Sequence, residues 1–214
     1  MSKNIVVIPS FNELSSLKKI VKHKSPKYKF IVIDDGSTDG TKQFLIKNKI
    51  NFISNNNNLG YEKSLIKAFT YLKKNSSNIK NIITFDADGE HKIKDINKLL
   101  ILQDKKNFDL IICNRSNLIR NIEKILSYLF FKKYKIKDPL TGFKLYDFKK
   151  LKKIIHLIHI DYFLVDIIKI FMIRNFKITN YRIKLNKIKS RNPRVGGSIN
   201  VNLKIFNIFR LLFN

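Results

Sequence analysis

Runs of aliphatic and β-branched residues alternate along the chain with stretches whose apolar positions recur every three or four residues. IVVIP (5–9) is apolar throughout and reads as a strand buried on both faces. ELSSLKKIVKH (13–23) follows, with Leu14, Leu17, Ile20 and Val21 along one helical face. The alternation continues with strands at KFIVIDD (29–35), INFIS (50–54), NIITFDAD (81–88) and FDLIIC (108–113). Between them lie helical patterns at 41–48, 60–75 and 93–104. This predicts an α/β fold, a Rossmann-like and mostly parallel sheet flanked by helices. After residue 113 the rhythm changes. Helices are expected over 121–134 and 147–175, a strand over 177–185 and a polar loop over 189–198. A domain of residues 1–198 would then carry a C-terminal amphipathic helix, 199–214.

Ligands of parallel α/β sheets bind beyond the carboxyl ends of the strands. Three predicted ends are polar here: PSFNE (9–13), DDGSTDGT (34–41) and DADGE (86–90). A capped turn accounts for Gly36 to Thr41. It does not account for Asp34 and Asp35 closing an apolar strand, where carboxylates suit a nucleotide base or ribose hydroxyls. Strand alternation places Asp86 and Asp88 on one side. Carboxylates that close repel unless a cation lies between them, and hard oxygen ligands select Mg²⁺ or Mn²⁺. Such an ion also binds a diphosphate. Glu90 is a third candidate metal ligand, and the competing reading is a solvated acidic turn. His91, alone beside a loop, is expected at the surface.

Composition narrows the setting. The chain has 214 residues and a net charge of +27. Three readings of that charge stay open: a Lys-rich composition without function, an anionic membrane surface, or nucleic acid. No nucleic-acid module is recognisable and the best polar motifs are acidic, so no specific nucleic-acid partner is expected. Cys113 is the single cysteine, which excludes a disulfide framework and a cysteine zinc site. The opening MSKNIVVIPSF is too short an apolar run for a signal peptide, and no stretch reaches about 18 uncharged apolar residues. A cytoplasmic location is expected.

PSFNE, VIDDGSTDGT, NLGYEKSL and FDADGEH occur in this order, and DPLTGFKLYD (138–147) follows. Together they resemble the family 2 glycosyltransferases of GT-A fold, most of all the polyprenyl-phosphate branch, which includes dolichyl-phosphate mannose synthase and bacterial undecaprenyl-phosphate sugar transferases. The resemblance implies a nucleotide-sugar donor contacted by Pro9, Phe11, Glu13, Asp34, Asp35, Lys63 and Asp86. It implies a metal at Asp86 and Asp88, with Glu90 where the family often has Gln. Arg115 would meet a phosphate, and Asp138, Thr141 and Gly142 match the loop near the acceptor. Arg120, Arg191 and Arg194 are further candidates for an acceptor phosphate. Leu140, Asp166 and NYRI (180–183) depart from the family pattern.

The implied reaction is an inverting transfer of one sugar. A polyprenyl-phosphate acceptor needs no general base, because its oxygen is already anionic. A glycan hydroxyl acceptor, as in capsule or lipopolysaccharide synthesis, needs one, and Asp138 is the first candidate. The expected catalytic residues are Asp88, Arg115 and Asp138. The C-terminal stretch carries ten apolar residues against Lys204 and Arg210. A helix of that kind suits a membrane interface, which makes a peripheral position at the inner membrane face the expectation.

Overall fold

The computed structural model describes residues 3–76, 78–116, 118 and 121–186. Arg120, Arg191, Arg194 and the expected helix 199–214 lie outside these residues. Within them, seven strands form one sheet in the order β3-β2-β1-β4-β6-β5-β7. β1 (Asn4–Ser10), β2 (Lys29–Asp34), β3 (Phe52–Ser54), β4 (Asn81–Thr84), β5 (Leu110–Arg115) and β7 (Ile178–Ile183) occupy the expected apolar runs. β1 pairs in parallel with β2 and β4, β2 with β3, and β5 with β7. The connections are α1 (Leu14–Val21), α2 (Thr41–Lys47), α3 (Tyr61–Asn75) and α4 (Lys94–Lys106), with α5 (Asn121–Tyr134) after β5.

Alternation along the strands feeds two cores. Val6, Ile8, Ile83, Ile111 and Cys113 face α1, α2 and α4 through Leu17, Ile20, Leu45, Ile96 and Leu99. Ile5, Val7, Ile82, Leu110 and Ile112 face the other side, against Leu65, Phe69, Leu126, Phe130 and Phe163. A sheet covered on both faces explains why its strands read as continuous apolar runs.

Three expectations need correction. First, β6 (Lys144–Asp147) is an unforeseen strand, inserted antiparallel between β4 and β5. Its sequence, KLYD, is short and opens on a lysine, so it carries no strand pattern of its own. Second, the strand expected over 81–88 ends at Thr84. Residues 86–89 form a turn, and Gly89 has φ 82°. Third, the helix expected over 147–175 is broken into α6 (Phe148–Ile154), two short 3-10 turns and α7 (Phe163–Ile173). Asp166 accepts from the His159 backbone N–H at 2.8 Å and His159 Nδ1 accepts from Asp161 N–H at 3.3 Å. Such side-chain bonds compete with a continuous helix. No helix among the described residues is long and apolar enough to cross a membrane.

Candidate active site

The exits of β1 and β2 are laced together. The Asn12 N–H donates to Ser37 Oγ at 3.0 Å, and Asn12 Oδ1 accepts from Thr38 N–H at 2.8 Å. Asp39 Oδ2 accepts from Leu14 N–H at 2.8 Å. Asp34 and Asp35 are almost wholly buried. Asp34 accepts from Ser37 N–H (3.1 Å) and Ser54 Oγ (3.2 Å). Asp35 accepts from Asn55 Nδ2 (2.7 Å) and from the N–H groups of Leu59 and Gly60 (both 2.9 Å). Both carboxylates therefore hold loop 54–60 in place. Gly36 is required beneath that loop, because a Cβ there would lie 2.8 Å from the Asn57 carbonyl carbon. Pro9 is buried in β1, Glu13 is buried, Phe11 is partly exposed and Lys63 stands exposed in the first turn of α3. An open cleft of about 570 Å³ runs beside Asn12, Glu13, Lys18 and Asp39.

The acidic turn after β4 is anchored from two sides. Tyr61, in the first turn of α3, donates its hydroxyl to Asp86 Oδ1 at 2.8 Å. His91 Nε2 lies 3.0 Å from Asp86 Oδ2. His91 is buried against Phe85 and Phe143, not at the surface as its isolated place in the sequence suggested. Burial alone would raise the Asp86 carboxyl, but the bonds from His91 and Tyr61 outweigh it and hold it below its usual range. Asp88 differs. Burial, then the neighbouring Asp86 charge, push its carboxyl up to about 6, although Glu90 N–H donates to Asp88 Oδ1 at 2.9 Å.

A second cluster forms where β5 meets the loop before β6. Arg115 Nε and Nη2 donate to Asp138 Oδ2 and Oδ1 at 2.8 and 3.0 Å, and the Arg115 backbone N–H adds a third bond at 3.1 Å. Glu123 of α5 lies 3.5 Å from Arg115 Nη1. Burial works against the guanidinium charge, but Asp138 more than compensates and Arg115 stays cationic. Asp138 spends both oxygens on this arginine, which suits it to positioning more than to taking a proton.

Gly142 joins the two clusters. A Cβ on Gly142 would fall far inside van der Waals contact of both Asp86 oxygens and the Tyr61 hydroxyl. Its carbonyl accepts from Thr84 Oγ1 at 2.5 Å and from Tyr61 at 3.4 Å. Thr141 is buried, and its hydroxyl accepts from Phe143 N–H. Behind the loop, the fully buried Lys144 ammonium donates to the carbonyls of Pro139 and Thr141. Burial lowers its pKa to about 8, against the opposing charges of Asp138 and Asp86. Sequence reasoning missed Tyr61, Glu123 and Lys144. Tyr61 and Lys144 lie within quoted motifs and Glu123 eight residues after Arg115, but the Tyr61–Asp86 bond spans 25 residues, and the closer contacts of Lys144 and Glu123 form only once the 138–142 loop and α5 have folded back.

Among the described residues no group of three or more His, Cys, Asp or Glu side chains is arranged to hold a metal. The expected Asp86–Asp88–Glu90 cage is therefore not preformed. Among the described residues no donor reaches Asp88 Oδ2, in a half-buried acidic pair that a cation would relieve. Hard oxygens of this kind fit Mg²⁺ or Mn²⁺ held by one or two carboxylates, with substrate phosphates completing the shell.

Comparison with known proteins fits this geometry. Residues 5–162 match the profile of glycosyl transferase family 2, and the chain belongs to that family. An uncharacterized protein of Methanocaldococcus jannaschii is 32% identical over 168 residues, 69% of this chain and 73% of the relative. The undecaprenyl-phosphate 4-deoxy-4-formamido-L-arabinose transferase of Photorhabdus laumondii is 30% identical over 130 residues, 55% of this chain but 38% of that enzyme. The polyprenol monophosphomannose synthase of Mycolicibacterium smegmatis is 26% identical over 122 residues, covering 53% of this chain and 45% of its own. The chain thus spans less than half the length of these two named enzymes. Glucosyl-3-phosphoglycerate synthase of Mycobacterium tuberculosis, solved with Mn²⁺, UDP and glucosyl-3-phosphoglycerate, superposes with a TM-score of 0.69 at 15% identity, over 98% of this chain and 78% of that one. Mannosyl-3-phosphoglycerate synthase of Rubrobacter xylanophilus gives 0.70 at 14% identity, over 98% and 72%. These two likenesses establish the fold.

Proposed function

We propose that the protein transfers one sugar from a UDP- or GDP-sugar to a polyprenyl phosphate at the cytoplasmic face of a membrane. The observation that carries this reading is the pairing, across Gly142, of an acidic turn with a fixed guanidinium whose carboxylate partner is fully engaged. The acidic turn suits a nucleoside diphosphate and its cation. The guanidinium suits an anionic acceptor. With Asp138 committed to Arg115, the second cluster supplies no free base, and a phosphate acceptor needs none. Two relatives named for polyprenyl-phosphate or polyprenol sugar transfer support the acceptor class.

In this mechanism an acceptor phosphate oxygen attacks the anomeric carbon with inversion. Its lone pair forms the new C–O bond while the bond to the nucleoside diphosphate breaks, and the leaving group takes the electron pair. No proton moves. Asp34 and Asp35 hold the loop that shapes the nucleotide site, with Pro9, Phe11, Glu13 and Lys63 along its border. Asp86, fixed by Tyr61 and His91, and Asp88 would hold Mg²⁺ or Mn²⁺, with Glu90 beside them. A bound divalent cation neutralises the charge that develops on the leaving diphosphate. Arg115 keeps N–H donors beyond those given to Asp138 and Glu123, and these grip the acceptor phosphate. Thr141 and Gly142 keep the loop against Asp86. Arg120, Arg191 and Arg194 are proposed as further phosphate contacts.

The test is transfer of label from a panel of UDP- and GDP-sugars into an organic-extractable product, with and without undecaprenyl phosphate and Mn²⁺ or Mg²⁺. Lipid- and metal-dependent transfer is expected. Metal-dependent donor hydrolysis without lipid transfer would move the acceptor to a glycan hydroxyl.

A further inference from the structure

Helix α5 is apolar on two sides. Leu126 and Phe130 face the core. Ile125, Tyr128 and Phe131 lie on the opposite arc and are 49%, 60% and 41% exposed. Spacings of three residues place them on one stripe. A groove of about 390 Å³ is open on this face, lined by Leu118, Lys124, Ser127, Tyr128, Phe131 and Lys137. Exposed apolar residues elsewhere, such as Ile46 and Ile173, sit singly on other helices. A cluster asks for an occupant where isolated residues do not.

Charge identifies the occupant. Lys124, Lys132, Lys135 and Lys137 are all exposed around the stripe. The Lys132 ammonium lies 5.5 Å from the Tyr128 ring, and those of Lys135 and Lys137 lie 5.5 and 5.9 Å from the Phe131 ring. From residue 118 to 137 the one acidic residue is Glu123, which faces inward to Arg115. Apolar side chains ringed by ammonium groups, along a segment whose one carboxylate turns inward, match the boundary between acyl chains and anionic headgroups. A protein partner of ordinary composition would be expected to meet some carboxylate on this face.

We infer that the exposed face of α5 docks on an anionic lipid bilayer, seating Ile125, Tyr128 and Phe131 at the headgroup–acyl boundary. The link to catalysis rests on the polyprenyl-phosphate reading. The first turn of α5 touches Arg115 through Glu123, so docking brings the proposed acceptor grip to the level where lipid phosphates lie. The ammonium groups lie over the rings in water and on contact would reach outward to headgroups.

The experiment uses the full chain with vesicles of phosphatidylcholine alone, or with 30% phosphatidylglycerol as a chosen anionic fraction, and no donor or acceptor. Sedimentation with the anionic vesicles is expected. A combined Ile125→Ser, Tyr128→Ser and Phe131→Ser variant should lose about tenfold or more in partitioning, because three apolar anchors are removed. An Ile46→Ser, Ile173→Ser control should bind like the parent. Cys113 is fully buried, so a polarity-sensitive dye on Tyr128→Cys reports this face alone. A blue shift on anionic vesicles is expected. Unchanged partitioning of the combined variant, or an unshifted dye, overturns the inference, as does a dimer that the variant abolishes without any vesicle binding. The functional reading fails separately: vesicle binding without sugar transfer leaves the docking face intact. Transfer to detergent-dispersed lipid without vesicle binding does the reverse.

Discussion

From β1 to β4 the chain runs strand, helix, strand, and every pairing among these strands is parallel. From β5 to β7 an antiparallel strand is wedged into the sheet and the connections are irregular. The two halves handle charge differently as well. In the first, Asp34 and Asp35 are satisfied by backbone N–H groups and small polar side chains, and they shape a loop. In the second, Arg115, Asp138 and Glu123 form an ion-pair network, with a buried lysine behind the loop. Charges tied to backbone groups build a rigid wall. Charges tied to one another leave donors that can exchange partners, which is what gripping and releasing an anion requires.

The largest effect expected separates the site from its scaffold. Among the described residues the hydrogen bond to the Asp88 carboxylate comes from the backbone two residues on, whereas Asp35 anchors three donors from a distant loop. Asp88→Asn should lower sugar transfer by about 10³-fold, equivalent to roughly 4 kcal/mol of barrier, with a melting temperature close to the parent's. Asp35→Asn should instead lower the melting temperature. Transfer assays and thermal melts of both variants, run together, check this. Retained turnover in Asp88→Asn would remove it from the catalytic set.

The ion-pair network comes next. Asp138→Asn leaves the Arg115 guanidinium short of its main counter-charge. The cost should be about 3 kcal/mol, the lower end for a broken buried pair, since a fifth of the Arg115 side chain meets solvent. An Arg115→Met, Asp138→Leu, Glu123→Gln triple variant removes all three charges of the network and should recover most of that stability while transfer stays lost. Urea unfolding and the transfer assay distinguish the outcomes. Recovery of activity with stability would mean that the pair is structural alone.

Lys144 sharpens the contrast through pH. Its folded-state pKa is lowered to about 8, against an ordinary 10.5. Below pH 8 the lysine is charged in both the folded and the unfolded chain, and the cost of burying the charge is present in full. Between those two values the folded protein sheds the proton while the unfolded chain keeps it. The unfolded state then binds more protons, so stability rises with pH. Relative to Lys144→Met, the wild type should gain about 3 kcal/mol from pH 7 to pH 11, read by urea unfolding at several pH values. A pH-independent difference would show a lysine charged throughout.

The same division governs what could be read beforehand. The apolar runs of β1 to β5, and the acids at their ends, are local patterns, and they marked the strand exits that line the first half of the candidate site. Strand β6 could not be read that way. Its pairing with β4 spans about sixty residues, and its first position holds a lysine that only the finished fold explains. His91 looked like a surface histidine because nothing nearby in sequence announces Phe143, whose ring packs on it. The break after α6 was hidden because Asp166 acts on His159 through space, not through helical periodicity. The roles of Asp34 and Asp35 were legible as unusual, but their partners in loop 54–60 emerged only from the coordinates.

The smallest effect expected concerns a side chain that bridges the halves. Tyr61 stands on α3, yet its hydroxyl donates to Asp86 and also reaches the carbonyl of Gly142. Tyr61→Phe keeps the ring and removes the donor. Asp86 retains His91 and the Gly142 carbonyl retains Thr84, so no buried acceptor is orphaned. The cost should be that of one ordinary hydrogen bond, about 1 kcal/mol. If the hydroxyl only filled space between the halves, that loss would appear in unfolding alone. If it aims Asp86, kcat should fall about fivefold at an unchanged donor KM, and a higher Mn²⁺ or Mg²⁺ concentration should be needed for half-activation. Steady-state kinetics over a metal titration separates the two. A stability loss with unaltered kinetics would leave the halves joined by packing at Gly142, with no part for Tyr61 in the chemistry.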